Sequence, residues 1–99
     1  MTAARTSQDL VREFHEAFGL NVAPRPTSVA PELADVVYIA YGTALVHGID
    51  LDAVLAEIHR ADMSKPGPDG RPTLREDGKV LKGAAYRPPR VADVLRDQA

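Results

Sequence analysis

The stretch that decides the fold is Pro31–His47, PELADVVYIAYGTALVH, in which no charged residue follows Asp35. Proline suits the first turn of a helix, because its missing N–H needs no partner there. Glu32 and Asp35 complement the positive end of a helix dipole. The apolar side chains that follow point to several sides of the predicted helix, so this helix needs cover on all sides.

The residues on either side of this stretch predict two more helices. One spans residues 7–18, with a threonine or serine as its cap and Gly19 as its end. The other spans residues 50–63 and is capped by Asp50. Because very few residues separate it from the helix at 31–47, we expect those two helices to form an antiparallel hairpin.

The composition changes in the tail, residues 64–99. Its first part, residues 64–90, holds five of the eight prolines of the chain. Asp77-Gly78 stands between short apolar pairs, which predicts a small β-hairpin with a tight turn. A short last helix is expected at Val91–Arg96. The predicted fold is therefore one all-α domain over residues 1–99, a helical hairpin completed into a bundle by oligomerisation, with a β-hairpin in the Pro/Gly-rich tail.

Composition narrows the class of protein. The 99 residues are 44% hydrophobic and 26% charged, with a net charge of -2 and interspersed signs, so no basic face for nucleic acid is expected. There is no cysteine, which favours a reducing compartment. No signal peptide is visible, and the apolar run Val36–Val46 is shorter than the ~20 residues that cross a bilayer. We expect a cytoplasmic protein with no membrane partner.

The apolar helix at 31–47 predicts a homo-oligomer. Few other segments can cover it, and each exposed large side chain forfeits roughly 1.5–3 kcal/mol of burial. Gly42 in the middle of a helix costs about 1 kcal/mol relative to alanine, which close approach of another helix would offset. A dimer or tetramer that completes the bundle is the simplest arrangement.

The sharpest chemical pattern is the pair Glu32 and Asp35. A spacing of three residues places both carboxylates on one face of a helix, where they can share Mg²⁺, a cation that prefers oxygen ligands. The alternative is that acidic residues in a first turn stabilise any helix.

The remaining polar candidates give weaker signals. Arg60 and Lys65 could hold phosphate, although basic residues also suit the end of a helix. His59 and His15 could each act as a base or a metal ligand, although a lone histidine more often faces solvent. Glu13 and Glu16 are expected to form a solvated face. Lys79 and Lys82 flank a glycine-containing loop and could meet an anion.

Several stretches together resemble a known family. They are EFHEAFG at 13–19, ELADVVYIAYG at 32–42, HGIDLD at 47–52, EIHRADMSK at 57–65, REDGKVLKG at 75–83, and Tyr86 with Pro88-Pro89. Their order is similar to that of the all-α nucleoside triphosphate pyrophosphohydrolases, in the MazG-like and phosphoribosyl-ATP pyrophosphohydrolase-like branch.

The resemblance implies hydrolysis between the α and β phosphates of a nucleotide, with Mg²⁺ held by Glu-Glu-x-x-Glu and Glu-x-x-Asp motifs. The second motif falls on Glu32 and Asp35, which become the implied catalytic and metal-binding residues. Lys65 would then contact phosphate or nucleotide, and Lys79, Lys82 and Tyr86 would lie in a tail that closes over the site.

The sequence departs from that family in two places. The interval 20–31 holds three prolines and no acid where the Glu-Glu-x-x-Glu helix should lie. Asp62 stands where relatives tend to carry asparagine, and an acid there would repel phosphate in the substrate site. The alternatives are a reduced pyrophosphohydrolase, a non-catalytic oligomerisation or partner-binding relict, and a truncated copy of a longer gene.

Overall fold

The computed structural model describes residues 5–67 and 70–99. Its elements are α1 (Ser7–Ala17), α2 (Ala30–Val46), α3 (Leu51–Asp62), β1 (Thr73–Leu74), β2 (Val80–Leu81) and α4 (Val91–Asp97). The predicted class, mostly helical with one small β-hairpin, is confirmed. Each helix begins and ends within one residue of its predicted bounds.

Local hydrogen bonds explain why these helices begin where they do. The backbone N–H of Asp9 donates to Thr6 Oγ1 at 3.1 Å, and the backbone N–H of Thr6 donates to Asp9 Oδ2 at 2.9 Å. This reciprocal capping box starts α1. Asp50 caps α3 by accepting from the backbone N–H of Ala53 at 3.3 Å. Gly19, with φ of 68°, follows α1 in the left-handed conformation that glycine tolerates.

The core is thin and centres on α3, against which α1 and α4 pack. Among the described residues only Phe18, Ala44 and Ala61 are buried. The rings of Phe14 and Phe18 stack with centroids 4.2 Å apart. A core of this size leaves much of the apolar surface of the chain uncovered.

The expected antiparallel hairpin of α2 and α3 is wrong, because the two helices are joined at an angle of 110°. We call α2 the arm and the bend at residues 47–50 the elbow. Among the described helices, α1 and α4 pack closely on α3, whereas the arm makes no such extensive contact with another helix. Its large exposed side chains are Leu33, Val36, Val37, Tyr38, Ile39, Leu45 and Val46, which are 52–84% exposed. This exposure agrees with the expectation that few segments of one chain can cover the helix.

The length of the arm also bears on membrane crossing. In the described ranges, no single helix is both long and apolar enough to span a bilayer. The arm and α3 reach the required length and hydropathy only when they are counted together across the bend between them.

The tail forms the predicted hairpin and then returns to α3. Thr73 pairs with Leu81 and Leu74 with Val80, and Gly78 adopts a φ of 87° in the turn between them. Residues 87–90, which we call the strap, then cross the end of α3 and lead into α4.

Several hydrogen bonds hold the strap at the end of α3. The backbone N–H of Arg87 donates to Ser64 Oγ at 2.9 Å, and the Arg60 guanidinium donates to the Pro88 carbonyl at 3.0 Å. The backbone N–H of Arg90 donates to Glu57 Oε2 at 2.7 Å. Glu57 therefore connects α3 to the start of α4.

The strap makes stability depend on acid pH through Glu57. Hydrogen bonds from Arg60 and then from the Arg90 backbone lower the pKa of Glu57 from 4.5 to about 2. A lowered pKa stabilises the fold above the unfolded value, and the contribution is lost as pH falls from 4.5 toward 2. We expect Glu57→Gln to lower the melting temperature at pH 7 and the difference from the unaltered protein to shrink across that window, measured by circular dichroism.

The control is Glu76→Gln, which removes an exposed carboxylate in the hairpin turn. A constant difference between Glu57→Gln and the unaltered protein from pH 7 down to pH about 2 would contradict the role of Glu57.

Candidate functional site

The two acids proposed as metal ligands lie near the start of the arm. Glu32 and Asp35 are both exposed, and the side chain of neither forms a hydrogen bond or ion pair with another described residue. They lie one helical turn apart, so their Cβ atoms are about 5–6 Å apart. The arm thus presents two unpaired carboxylates to solvent at one end.

The proposed phosphate contact at the end of α3 is already neutralised within the chain. Lys65 Nζ forms an ion pair with Asp62 Oδ1 at 2.9 Å, and both side chains are half-buried. The acid at position 62 therefore faces a cation of its own chain. A phosphate group that reached Lys65 would compete with this carboxylate.

The two tail lysines lie on either side of β2, Lys79 just before the strand and Lys82 just after it. Lys82 Nζ stands over the ring of Tyr86 at 4.9 Å from its centroid, a cation–π contact that fixes the lysine relative to the ring. Lys79 is exposed, and its backbone N–H donates to Asp77 Oδ1 at 3.1 Å. Within the described residues, no hydrogen bond or ion pair joins these lysines to Glu32 or Asp35.

The elbow holds a polar junction that sequence reasoning missed. Asp52 Oδ1 accepts hydrogen bonds from the hydroxyl of Tyr41 and from Ser7 Oγ, the latter at 2.7 Å. One carboxylate therefore ties α1, the arm and α3 together. The hydrogen bonds from Tyr41 and then Ser7 lower the pKa of Asp52, and the same bond raises the pKa of Tyr41. No sequence spacing links residues 7, 41 and 52.

A concave pocket of about 450 Å³ opens beside this junction. It is lined by Tyr41, Ala44, Leu45, Gly48, Ile49, Asp50, Leu51 and Asp52. Glu32 and Asp35 are not among its lining residues. The proposed metal ligands and the larger pocket thus occupy different ends of the arm.

A second cleft separates α1 from α3. His59 Nε2 lies 2.6 Å from Glu13 Oε1, and the His59 side chain is only 13% exposed. The expected solvent-facing histidine is therefore wrong. Hydrogen bonds from His59 and then Arg5 lower the pKa of Glu13. His59 acts here as a link between two helices.

A comparison with known protein families matches the part of the chain that forms the first three helices. The phosphoribosyl-ATP pyrophosphohydrolase family model matches residues 8–62, which covers α1, the arm and α3. The chain belongs to the phosphoribosyl-ATP pyrophosphohydrolase family. The family resemblance inferred from the sequence is confirmed. No curated protein sequence matches this family member.

A solved structure supports the fold independently. It is a protein from Exiguobacterium sp. 255-15 described, provisionally, as an NTP pyrophosphohydrolase. It superposes on this family member with a TM-score of 0.83 at 18% identity, covering 98% of this chain and 100% of the other. At this identity the likeness concerns the fold.

Glu32 and Asp35 supply the carboxylate oxygens that Mg²⁺ prefers, but they are only two ligands. Within the described residues there is no group of three or more histidine, cysteine, aspartate or glutamate side chains that could hold a metal. Within the interval 20–31, where the sequence led us to expect the family's Glu-Glu-x-x-Glu helix to be absent, residues 20–29 contain no helix and Ala30 already begins α2. Mg²⁺ is often held by one or two carboxylates plus substrate phosphates and waters, and Glu32 with Asp35 matches that pattern.

Proposed function

We propose that this family member is a reduced, Mg²⁺-dependent nucleoside triphosphate pyrophosphohydrolase that acts as a homo-oligomer in the cytoplasm. The observation that carries the proposal is the exposed pair Glu32 and Asp35 on an arm that belongs to a family-matched region. Neither acid side chain has a hydrogen-bond or ion-pair partner among the described residues, so their charge is free to serve a ligand.

The proposed reaction forms a bond from a water oxygen to the α-phosphorus and breaks the bond from that phosphorus to the bridging oxygen. A nucleoside monophosphate and pyrophosphate leave, and the proton of the water passes to solvent. Mg²⁺ held by Glu32 and Asp35 would supply neutralisation of phosphate charge and activation of water. Lys79 and Lys82 would attract the leaving phosphates. Lys65 would do the same once its ion pair with Asp62 is broken.

The second candidate function is a non-catalytic oligomerisation or partner-binding module. The position of the acids favours it, because Glu32 and Asp35 lie outside the pocket at the elbow. Such a module would form the same oligomer and would not respond to metal.

The test is pyrophosphate release from a panel of nucleoside triphosphates with Mg²⁺, together with melting temperature in Mg²⁺ and a non-hydrolysable analogue. We expect release by the unaltered protein, and a loss of at least 100-fold in Glu32→Gln and Asp35→Asn, a typical cost for removing an electrostatic catalytic group. Glu16→Gln, which removes an exposed acid of α1, is the matched control and should keep full activity.

Release no higher than that of Glu32→Gln for every nucleotide would reject the hydrolase. A stable oligomer whose melting temperature ignores Mg²⁺ and nucleotide would then favour the non-catalytic module.

A further inference from the structure

The ion pair between Asp62 and Lys65 lies where α3 ends and the tail begins. Lys65 Nζ stands 2.9 Å from Asp62 Oδ1, with the side chain of Asp62 33% exposed and that of Lys65 22% exposed. Asp62 is the last residue of α3 and also lines the cleft between α1 and α3. An anion from solvent can therefore reach both charged groups.

The stability of α3 does not explain the acid at position 62. A negative charge in the last turn of a helix opposes the helix dipole, which favours a cation there. An ion pair between residues three apart on a partly exposed surface contributes a free energy of similar size and opposite sign, so the two effects nearly cancel. Asparagine would serve the end of α3 equally well. The charge of Asp62 therefore matters mainly for its effect on Lys65.

The backbone of Lys65 is held from two sides, while its side chain can still turn. Its N–H donates to the Asp62 carbonyl at 3.2 Å, and its carbonyl accepts from the Gly83 N–H at 2.7 Å. The ammonium group, on a flexible four-carbon stem, can exchange one anion for another. Lys82 precedes Gly83 and stands over the Tyr86 ring. A phosphate chain that approaches Lys65 thus finds a second lysine one residue from the contact between the tail and α3.

We propose that Asp62 is an internal counter-ion that competes with phosphate groups for Lys65, keeps the affinity for polyphosphate low and so favours release of pyrophosphate. This inference rests on the phosphate contact of Lys65 in the proposed function, and its test needs no catalysis. A phosphate group gains the attraction of Lys65 only by displacing Asp62, and it then meets the repulsion of the displaced carboxylate. Because this repulsion grows with the charge of the anion, it weakens binding of tripolyphosphate more than that of pyrophosphate.

The test measures binding of inorganic tripolyphosphate and pyrophosphate by isothermal titration calorimetry in Mg²⁺ buffer at low salt. Asp62→Asn is expected to bind tripolyphosphate at least about tenfold more tightly than the unaltered protein, a change equal to about 1.4 kcal/mol of binding free energy. The gain should be smaller for pyrophosphate and should shrink as salt is added. Where turnover is observed, pyrophosphate should inhibit this variant at a lower concentration.

Three further variants serve as controls, each checked for unchanged helix content by circular dichroism. Asp62→Glu keeps the charge and should bind both anions as the unaltered protein does. Asp97→Asn removes one negative charge at the end of α4, whose neighbour Gln98 bonds to Asp50 at the opposite end of α3, and should leave both affinities unchanged. Asp62→Asn combined with Lys65→Gln should lose the gain, because the gain acts through the lysine.

Tighter binding by Asp62→Asn that is absent from the double variant supports the proposal. Equal affinities of Asp62→Asn and the unaltered protein, including no measurable binding by either, overturn it, as does a gain that the double variant keeps in full. The hydrolase is judged separately. Tighter binding without pyrophosphate release from any nucleotide rejects only catalysis, and release with equal affinities rejects only the counter-ion role.

Discussion

Replacing Leu45 by aspartate is expected to dissociate the proposed oligomer into single subunits that keep their helix content. Leu45 is 78% exposed in one chain, so the isolated fold loses little contact when it is changed. In the proposed oligomer a second copy would cover this side chain, and an unpaired charge buried there costs several kcal/mol. We expect the dissociation constant to rise at least about 100-fold, measured by sedimentation velocity over a range of protein concentrations.

Val22→Asp is the matched control, since it places the same charge at another exposed valine between α1 and the arm. It should leave sedimentation unchanged. If Leu45→Asp sediments as the unaltered protein does, with the same circular dichroism, the arm is not the oligomer contact.

The helix ends were predictable because each depends on a few neighbouring residues. Thr6 with Asp9 makes a capping box, Asp50 caps α3, and Gly19 and Gly48 adopt positive φ after their helices. Such signals are local, so they can be read from the order of residues alone. The turn at Gly78 was predictable for the same reason.

The direction of the arm was not predictable, because it depends on contacts between distant residues. A short connection favours antiparallel packing in general. Here Tyr41 and Ser7 meet one oxygen of Asp52, and the arm leaves α3 at 110°. The same limit applies to the link between Glu13 and His59. Neither contact has a sequence spacing that would reveal it.

The candidate site was predictable in composition and not in arrangement. Sequence reasoning singled out Glu32 and Asp35, and both side chains stand at the start of the arm with no polar partner in the part of the chain that the structure describes. Sequence reasoning also singled out Lys65, but it did not predict the ion pair between Lys65 and Asp62. A site assembled from several copies cannot be located by the geometry of one chain, since the missing distances are those between subunits.

Replacing Gly83 by alanine is expected to destabilise the fold and release the tail from α3. A Cβ at this position would stand 2.5 Å from the Pro66 carbonyl oxygen and 2.7 Å from that of Lys65. Both contacts are with backbone, which cannot move aside as a flexible side chain can. The shift would break the 2.7 Å hydrogen bond from the Gly83 N–H to the Lys65 carbonyl.

The overpacking should cost about 1–3 kcal/mol, which exceeds the 0.4–1 kcal/mol that alanine gains over glycine through the unfolded chain. Thermal unfolding at one protein concentration measures the loss, and hydrogen exchange shows whether β2 opens ahead of α1 and α3.

The matched control is Ala84→Ser, an exposed neighbour in the same segment. If the proposed hydrolase activity is present, Gly83→Ala should also raise KM more than it lowers kcat, because Lys79 and Lys82 would be displaced while Glu32 and Asp35 stay on the arm. A melting temperature at or above that of the unaltered protein would mean that the backbone at residues 65–66 yields without cost. The close approach at Gly83 would then have no part in holding the tail on α3.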